Sequence, residues 1–316
     1  MIHTLYLPRI CSNDELKTMK GHYFDEEWIL HPILKDTDVY DAVSGQLVVS
    51  YRRKRLKKSD IGLQNFKSLA KASRGRGPSA GPIDPNSKYW KKRMTIETKG
   101  FRTGYLKKDG TPSKMKINNQ VFSQAIGYFN EIKGLGLKIP CRLSHYTQAN
   151  MEKYVDGIPF IEEIDKWYRK LAPTQHQYQL DRASLKPHLK IGKTAFSTMT
   201  VNKNFRTALH QDSGDYGGFA CLSVLQEGEY NGGIFLMPGY GIGIDLRMGD
   251  IIVADVHQYH ANTEIWTTES QDQRNAMLNL RKDEGDAVGT IGANKPYSRI
   301  SLVLYLREKM IDCPNV

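Results

Sequence analysis

Cysteines are scarce in this sequence, and membrane-spanning runs are missing from it. Its 316 residues include four cysteines, Cys11, Cys141, Cys221 and Cys313, and no two of them form a Cys-x-x-Cys pair. This spacing argues against a zinc site or a disulfide framework and fits a reducing cytosol or nucleus. No run approaches the roughly 20 apolar residues of a membrane span, and residues 1–6 lack the basic start and apolar stretch of a signal peptide. The sequence therefore predicts an intracellular protein without a membrane segment, in the cytoplasm of a bacterial or phage-infected cell or in a eukaryotic nucleus.

Positive charge is concentrated in one part of the chain. The formal net charge is +11, and residues 51–116 contain 20 Lys and Arg against four acids, a net +16, so the remainder carries −5. Cations cluster at 52–58, 91–93 and 107–108, with aromatic residues such as Tyr89 and Trp90 between them. Because cations neutralise phosphates and aromatic rings stack on bases, this segment predicts contact with a nucleic acid. A solvated basic face or a localisation signal would have the same composition.

The second half of the sequence has the pattern of short antiparallel strands that follow two helices. Helices are predicted at 157–171 and from Pro173 to Leu185. Strands are predicted at 194–202, 218–225, 233–237, 242–246, 250–254 and 299–306, separated by glycine- and proline-containing turns. This order predicts an α+β, mainly β, fold: a double-sheet jelly roll, here the double-stranded β-helix, with supporting helices. The segment 267–296 is longer and more polar than the connection that a compact barrel needs, so we expect an insertion or lid there.

Two potential metal ligands lie two residues apart in an extended segment. His210 and Asp212 would point to the same side of such a segment, so both can bind one ion. A third ligand would come from His260, just beyond the strand predicted at 250–254, with His257 as its competitor. Two histidines and a carboxylate are the ligands of non-haem Fe(II) oxygenases, which leave three positions for a 2-oxo acid and O2. A His-x-Asp triplet alone is a weak signal, and it gains weight here from the order of the surrounding strands.

A cation stands at the start of the last predicted strand. Arg299 precedes the apolar run 300–306 and could hold the distal carboxylate of a 2-oxo acid through a bidentate pair. A lone arginine at a strand edge is usually a solvated cation. Arg281 and Arg274 are the alternatives if Arg299 does not bind the acid.

Three segments together, 200–215, 255–263 and 298–306, resemble the TET/JBP family of Fe(II)/2-oxoglutarate-dependent dioxygenases, which oxidise the 5-methyl group of a pyrimidine in DNA. The resemblance covers residues 194–306 and, more weakly, the loop 74–84. It implies that Fe(II) is bound by His210, Asp212 and His260, that 2-oxoglutarate is bound by Arg299 with Asn202 as a further polar contact, and that O2 is the oxidant.

The resemblance also implies a substrate, double-stranded DNA containing a 5-methylpyrimidine, whose target base is flipped out of the helix. We expect hydroxylation of 5-methylcytosine to 5-hydroxymethylcytosine. The alternatives are a thymine hydroxylase, an ascorbate-using 5-methylcytosine-modifying enzyme, a non-catalytic DNA-binding barrel, and an oxygenase acting on a protein or small metabolite. The candidate substrate contacts are Asp215, His257, Arg74, Arg76, Ser79, Lys91, Lys92 and Arg93.

The predicted organisation has two regions in a monomer. Residues 1–150 are expected to form a basic flanking region that contacts DNA and is integrated with the core. Residues 151–316 are expected to form the helical support and the double-stranded β-helix catalytic core, including the insertion at 267–296.

Overall fold

The computed structural model describes residues 2–71, 78–81, 95–98, 101–105, 107, 109–111, 122–134, 137–266 and 297–315. Several sequence-based predictions lie outside these residues. They are the proposed substrate contacts Arg74, Arg76, Lys91, Lys92 and Arg93, the insertion at 267–296, and the alternative anchors Arg274 and Arg281.

Strands make up most of the described chain. They are β1 (His3–Leu7), β2 (His31–Ile33), β3 (Thr37–Asp41), β4 (Leu47–Arg52), β5 (Thr95–Thr98), β6 (Phe101–Tyr105), β7 (Phe122–Phe129), β8 (Ile132–Gly134), β9 (Leu137–Ile139), β10 (Arg142–Leu143), β11 (Thr198–Lys203), β12 (Ala220–Glu227), β13 (Asn231–Gly232), β14 (Phe235–Met237), β15 (Ile242–Ile244), β16 (Ile251–Ala254), β17 (Ala261–Asn262), β18 (Ile265–Trp266) and β19 (Ser298–Tyr305). The larger sheet has the order β1-β3-β4-β16-β12-β19-β11-β7-β10, and a four-stranded sheet has the order β17-β14-β15-β2. The pairs β5-β6, β8-β9 and β13-β18 are two-stranded.

The larger sheet is apolar on both faces because its central strands alternate between two cores. In β12, Leu222 and Val224 pack into the cluster shared with the smaller sheet, whereas Cys221 and Leu225 pack into the cluster shared with the helices. Successive side chains of a strand point to opposite faces, so one strand can serve both clusters. The result is the predicted architecture, two facing sheets with helices behind the larger one.

Strands from both predicted regions of the chain hydrogen-bond within the larger sheet. β4 pairs antiparallel with β16, with Arg52 opposite Ile251, and β7 pairs antiparallel with β11, with Gly127 opposite Thr198. Residues before and after position 150 therefore contribute to the same hydrogen-bonded sheet.

The helices are α1 (Asn13–Thr18), α2 (Ser59–Phe66), α3 (His145–Gln148), α4 (Met151–Leu171) and α5 (Pro173–Ser184). α4 begins six residues before the predicted start at Gly157, so Gly157 lies inside the helix, where tertiary packing overrides its low helix propensity. At Gly157 a Cβ would lie 2.1 Å from the Phe66 ring, and at Gly62 it would lie 2.6 Å from the Phe160 ring. Each glycine thus makes room for an aromatic ring of the other helix. No helix in the described part of the chain is long and apolar enough to cross a membrane.

The cysteine prediction is wrong in one respect. Cys141 and Cys313 are joined by a disulfide, with their Cα atoms 5.8 Å apart. That distance lies within the normal range for a disulfide. The two positions are 172 residues apart in sequence, and the sheet brings the segment before β10 beside the C-terminal turn. Cys11 and Cys221 are free.

Candidate metal centre and co-substrate pocket

Backbone pairing brings the two predicted histidine ligands together. The N–H of His210 donates to the carbonyl of His260 and the N–H of His260 donates to the carbonyl of His210, both at 3.0 Å. This isolated antiparallel bridge lies outside the regular strands and sets the ring centroids 4.3 Å apart. Asp212 lies two residues beyond His210, and its N–H donates to the carbonyl of Val256 at 3.1 Å.

The donor atoms of these three residues converge. The ring Nδ1 of His210 lies 2.7 Å from the carbonyl of Ala208, and that of His260 lies 3.0 Å from the carbonyl of Gln258. A carbonyl only accepts, so each Nδ1 carries the proton and each Nε2 keeps a free lone pair. The two Nε2 atoms lie 3.6 Å and 3.7 Å from the oxygens of Asp212.

These separations fit ligands of one metal ion. Distances of 3.6 Å and more are too long for hydrogen bonds. Ligand atoms bound about 2.1 Å from one ion are themselves roughly 3 to 4 Å apart. In this protein all three donor atoms lie within 4.8 Å of one another. Burial, and then the neighbouring His260, lower the pKa of His210 to about 4, so its imidazole is neutral and can bind a metal at neutral pH.

The three candidate metal ligands line a cavity of about 170 Å³ between the two sheets. Arg299, the second residue of β19, lines this cavity and is only 2% exposed. Its Nη2 donates to the carbonyl of Gly233 at 2.9 Å, whereas its Nε has no hydrogen-bond partner, and no carboxylate within the described residues pairs with it. A buried guanidinium without an anion is costly, so this arrangement fits an acidic ligand in the cavity. Asn202 also lines the cavity, and its Oδ1 is buried without a partner.

Sequence reasoning missed other residues of the cavity wall, among them Thr200, Ser301 and Tyr305. Ser301 and Tyr305 line the cavity from β19, and Thr200 lines it from β11, with the Thr200 and Tyr305 hydroxyls 3.3 Å apart. Successive side chains of a strand point to opposite faces, and this alternation could have identified Ser301 and Tyr305. They lie on the same face of β19 as Arg299, whereas the intervening residues pack toward the helices.

Asp215 and His257, both predicted substrate contacts, have different surroundings. Asp215 lines the cavity, its Oδ2 is buried without a partner, and burial followed by the charge of Asp212 raises its pKa well above the usual range. His257 is not among the cavity-lining residues. Its Nδ1 lies 3.2 Å from a carboxylate oxygen of Asp255, and its Nε2 lies 3.1 Å from the carbonyl of Asp215. Both ring nitrogens thus face acceptors, which explains why the pKa of His257 is raised to about 9, and the role of His257 as a substrate contact stays a prediction.

Ser79 is the one predicted loop contact that lies within the described residues. It lines the cavity, and its carbonyl accepts a hydrogen bond from the N–H of Ala208 at 2.8 Å. The Tyr23 hydroxyl donates to the carbonyl of Ala80 at 3.1 Å. The first bond holds Ser79 against the segment that carries His210, and the second joins Ala80 to Tyr23.

The arginines of the first basic cluster are engaged within the fold, and the contact of this cluster with a nucleic acid stays a prediction. Arg52 is buried and pairs with Asp38 at 2.8 Å. Arg55 pairs with Asp36, and the Nη1 of Arg53 donates to a backbone carbonyl at 3.1 Å. The sequence shows the cations but not their pairing with Asp36 and Asp38, which depends on the fold.

Residues 124–308 match the model of the Tet_JBP family, described as the oxygenase domain of the 2OGFeDO superfamily. The chain belongs to this family. The predicted family is therefore confirmed, as are Fe(II), 2-oxoglutarate and O2, which the superfamily implies and which the His-Asp-His cluster accommodates.

Two relatives that are named as thymine dioxygenases match part of the chain. The bifunctional helicase and thymine dioxygenase JBP2 of Leishmania infantum is 30% identical over 187 residues, which are 58% of this chain and 17% of that protein. The thymine dioxygenase JBP1 of Trypanosoma brucei brucei is 29% identical over 191 residues, which are 60% of this chain and 20% of that protein. The matches thus span a fifth or less of these longer relatives.

A solved structure supports the fold class. NgTET1 in complex with 5mC DNA aligns with 100% of this chain and 85% of its own, with a TM-score of 0.53 and 11% sequence identity. At this identity the likeness concerns the fold alone, and it confirms the prediction of a mainly β oxygenase fold.

Proposed function

We propose that this protein is an Fe(II)- and 2-oxoglutarate-dependent dioxygenase that hydroxylates the 5-methyl group of a pyrimidine in DNA. One observation carries the proposal: the His210, Asp212 and His260 donor atoms and the buried, unpaired guanidinium of Arg299 line the same cavity. A metal site and an anion site in one enclosed space are what a 2-oxo-acid oxygenase needs.

Different residues of the cavity would bind the metal ion and 2-oxoglutarate. His210, Asp212 and His260 would hold Fe(II) through two imidazole nitrogens and a carboxylate oxygen, leaving three positions for other ligands. Fe(II), together with 2-oxoglutarate and O2, supplies the oxidising power that replaces a C–H bond of the methyl group by C–OH. Arg299 would bind the distal carboxylate of 2-oxoglutarate with its free N–H groups, and Asn202 would contribute a further polar contact. The apolar walls of the sheets would keep bulk water from the reacting carbon.

The enclosed position of the cavity determines how DNA would have to bind. The 5-methyl group of a paired base lies in the major groove beside stacked neighbours, so the target nucleotide must be flipped to reach a cavity between two sheets. Among the predicted substrate contacts, Asp215 and Ser79 line the cavity together with the metal ligands and would contact such a base. The protein would then work wherever the cell keeps its DNA, and its monomeric state stays a prediction.

The proposal also concerns which base is hydroxylated, 5-methylcytosine or thymine. The family resemblance led us to expect 5-methylcytosine, whereas the matched relatives named above are thymine dioxygenases and favour thymine as a second candidate. Both bases carry the same methyl group and differ at position 4, a carbonyl oxygen in thymine and an amino group in 5-methylcytosine.

Nucleoside mass spectrometry with matched duplexes tests the activity and the base together. One duplex contains 5-methylcytosine with uracil in place of thymine, a second contains thymine and unmethylated cytosine, and a third contains uracil and unmethylated cytosine. We expect a hydroxymethyl base from one or both of the first two in the presence of Fe(II) and 2-oxoglutarate, and none from the third. Parallel reactions with ascorbate in place of 2-oxoglutarate distinguish the ascorbate-using variant.

Two substitutions provide the controls. Asp212→Ala should abolish the product, because it removes one of three metal ligands, whereas Asp181→Ala, on the surface of α5, should have wild-type activity. Product formation by Asp212→Ala, or none by the wild type on any duplex, would contradict the proposed function. A wild type that turns over 2-oxoglutarate without modifying DNA would favour an oxygenase of protein or metabolite substrates.

A further inference from the structure

A second, more open groove continues outward from the cavity at the metal centre. Its volume is about 300 Å³. It shares four lining residues with the cavity, namely Ser79, His210, Asp212 and Asp215. The two spaces therefore meet at the rim of the metal centre, and we call the second one the outer groove.

The outer groove offers hydrogen-bond donors on the side away from the cavity. It is lined there by Lys20, which follows α1, and by the turn at Ser213 and Gly214. In the described part of the chain the Lys20 ammonium has neither an ion-pair partner nor a hydrogen-bond acceptor. The turn is closed by the N–H of Asp215, which donates to the carbonyl of Asp212 at 3.3 Å, and the described residues provide no acceptor for the N–H groups of Ser213 and Gly214.

Space is available at this turn. A Cβ built on Gly214 would meet no atom within 4 Å. An ammonium together with free backbone N–H groups beside open space suits an anion, because such groups only donate. The nearest acidic side chains, Asp212 and Asp215, also line the cavity, where Asp212 is a proposed metal ligand and the Asp215 carboxyl is buried.

We propose that the outer groove binds a phosphodiester adjacent to the flipped nucleotide, with Lys20 as its ionic partner. This inference rests on the proposed function. A base whose methyl group reaches the metal centre enters through the rim, so its sugar and flanking phosphates remain outside, in the space that continues from the cavity. Lys20 is then a positioning residue that holds the nucleotide by its backbone and does not read the base.

The proposed contact is tested by removing the charge of Lys20 and, separately, the charge of each phosphate that flanks the target nucleotide. We would compare wild type, Lys20→Gln and the control Lys17→Gln, an exposed lysine in the last turn of α1. The probes are duplexes with one 5-methylpyrimidine, in which the phosphate on the 5′ or the 3′ side of the target is intact or replaced by a neutral methylphosphonate. Dissociation constants are measured by fluorescence anisotropy across a salt series.

Lys20→Gln should bind the intact duplex about three- to tenfold more weakly than the wild type. The loss should be equal for 5-methylcytosine and thymine targets, and the salt dependence should fall by about one counterion. One of the two methylphosphonates should weaken the wild type by a similar factor and leave Lys20→Gln unaffected, since two changes to one contact are not additive. Lys17→Gln should behave as the wild type on every probe.

Two results would overturn the inference: Lys20→Gln indistinguishable from Lys17→Gln, or methylphosphonate effects of equal size in wild type and Lys20→Gln. Product analysis on the same duplexes separates this from the proposed function. If the wild type forms a hydroxymethyl base while Lys20→Gln binds normally, only the phosphate site is wrong. If the wild type neither binds nor modifies the duplexes, both proposals are wrong.

Discussion

Replacement of Arg299 by lysine is the sharpest test of the co-substrate site. Arg299 lines the cavity and is 2% exposed, one of its N–H groups donates to the carbonyl of Gly233, and its Nε has no hydrogen-bond partner. A lysine keeps the positive charge but lacks the planar guanidinium group, so it makes one hydrogen bond to a carboxylate where arginine makes two. A hydrogen bond to a charged group contributes about 1.5 to 3 kcal/mol. A loss of about 2 kcal/mol corresponds to roughly 30-fold weaker binding of 2-oxoglutarate.

The assay is the dissociation constant of 2-oxoglutarate, measured calorimetrically with Mn(II) in place of Fe(II) so that no turnover occurs. Arg299→Leu should be weaker still, because removing one partner of a buried ion pair costs about 3 to 5 kcal/mol. Arg169→Lys, on the exposed side of α4, is the matched control and should bind as the wild type. If Arg299→Lys binds 2-oxoglutarate within twofold of the wild type while still binding Mn(II), the anchor lies elsewhere, and Arg274 and Arg281 become the candidates.

Four further predictions follow from the same geometry. Gly233→Ala should weaken 2-oxoglutarate binding in the same calorimetric assay, because Gly233 has φ +66° and a Cβ would lie 2.8 Å from the Nε of Arg299; unchanged affinity would contradict this contact. Mn(II) at 100 times its dissociation constant should add about 2.7 kcal/mol to the free energy of unfolding, seen as a higher melting temperature that a chelator reverses. Tyr51→Phe should lower the free energy of unfolding in urea by about 1 to 3 kcal/mol, since it removes the 2.8 Å hydrogen bond to the Asp250 carboxylate, which is 3% exposed. The pKa of His257 is raised from its ordinary 6.5 to about 9, so the stability from its protonated ring is complete below pH 6.5 and is lost as the pH rises through 9; melting temperatures of His257→Asn should lack that loss.

Much of the fold could be predicted from local patterns, because strand and helix periodicities are properties of consecutive residues. β16 and β19 begin within one residue of their predicted starts, and α5 begins at Pro173 as predicted. α4 begins at Met151, before the predicted start at Gly157, because the apolar spacing that predicts the helix starts only at Ile161, whereas the close packing of Gly157 against the Phe66 ring is a tertiary contact.

The residue types of the candidate metal centre could be predicted from the sequence alone, because His210 and Asp212 are close enough along the chain for one extended segment to orient both. The sequence also determined the family, since the motifs around the metal ligands and the last strand are continuous stretches of sequence. The choice between His257 and His260 as the third ligand, by contrast, depends on contacts in the folded chain. The backbone of His260 pairs with that of His210, while the ring of His257 is held by Asp255 and the Asp215 carbonyl.

The tertiary structure also decided which cations are free. Arg52 is neutralised by Asp38 across two strands, whereas Arg299 is buried in the cavity without a carboxylate among the described residues. Likewise Cys141 and Cys313 meet in a disulfide despite 172 intervening residues. Charge pairing and disulfide formation depend on distances in space, and contacts between distant parts of a chain depend on how its sheets assemble, which no local pattern of residues specifies.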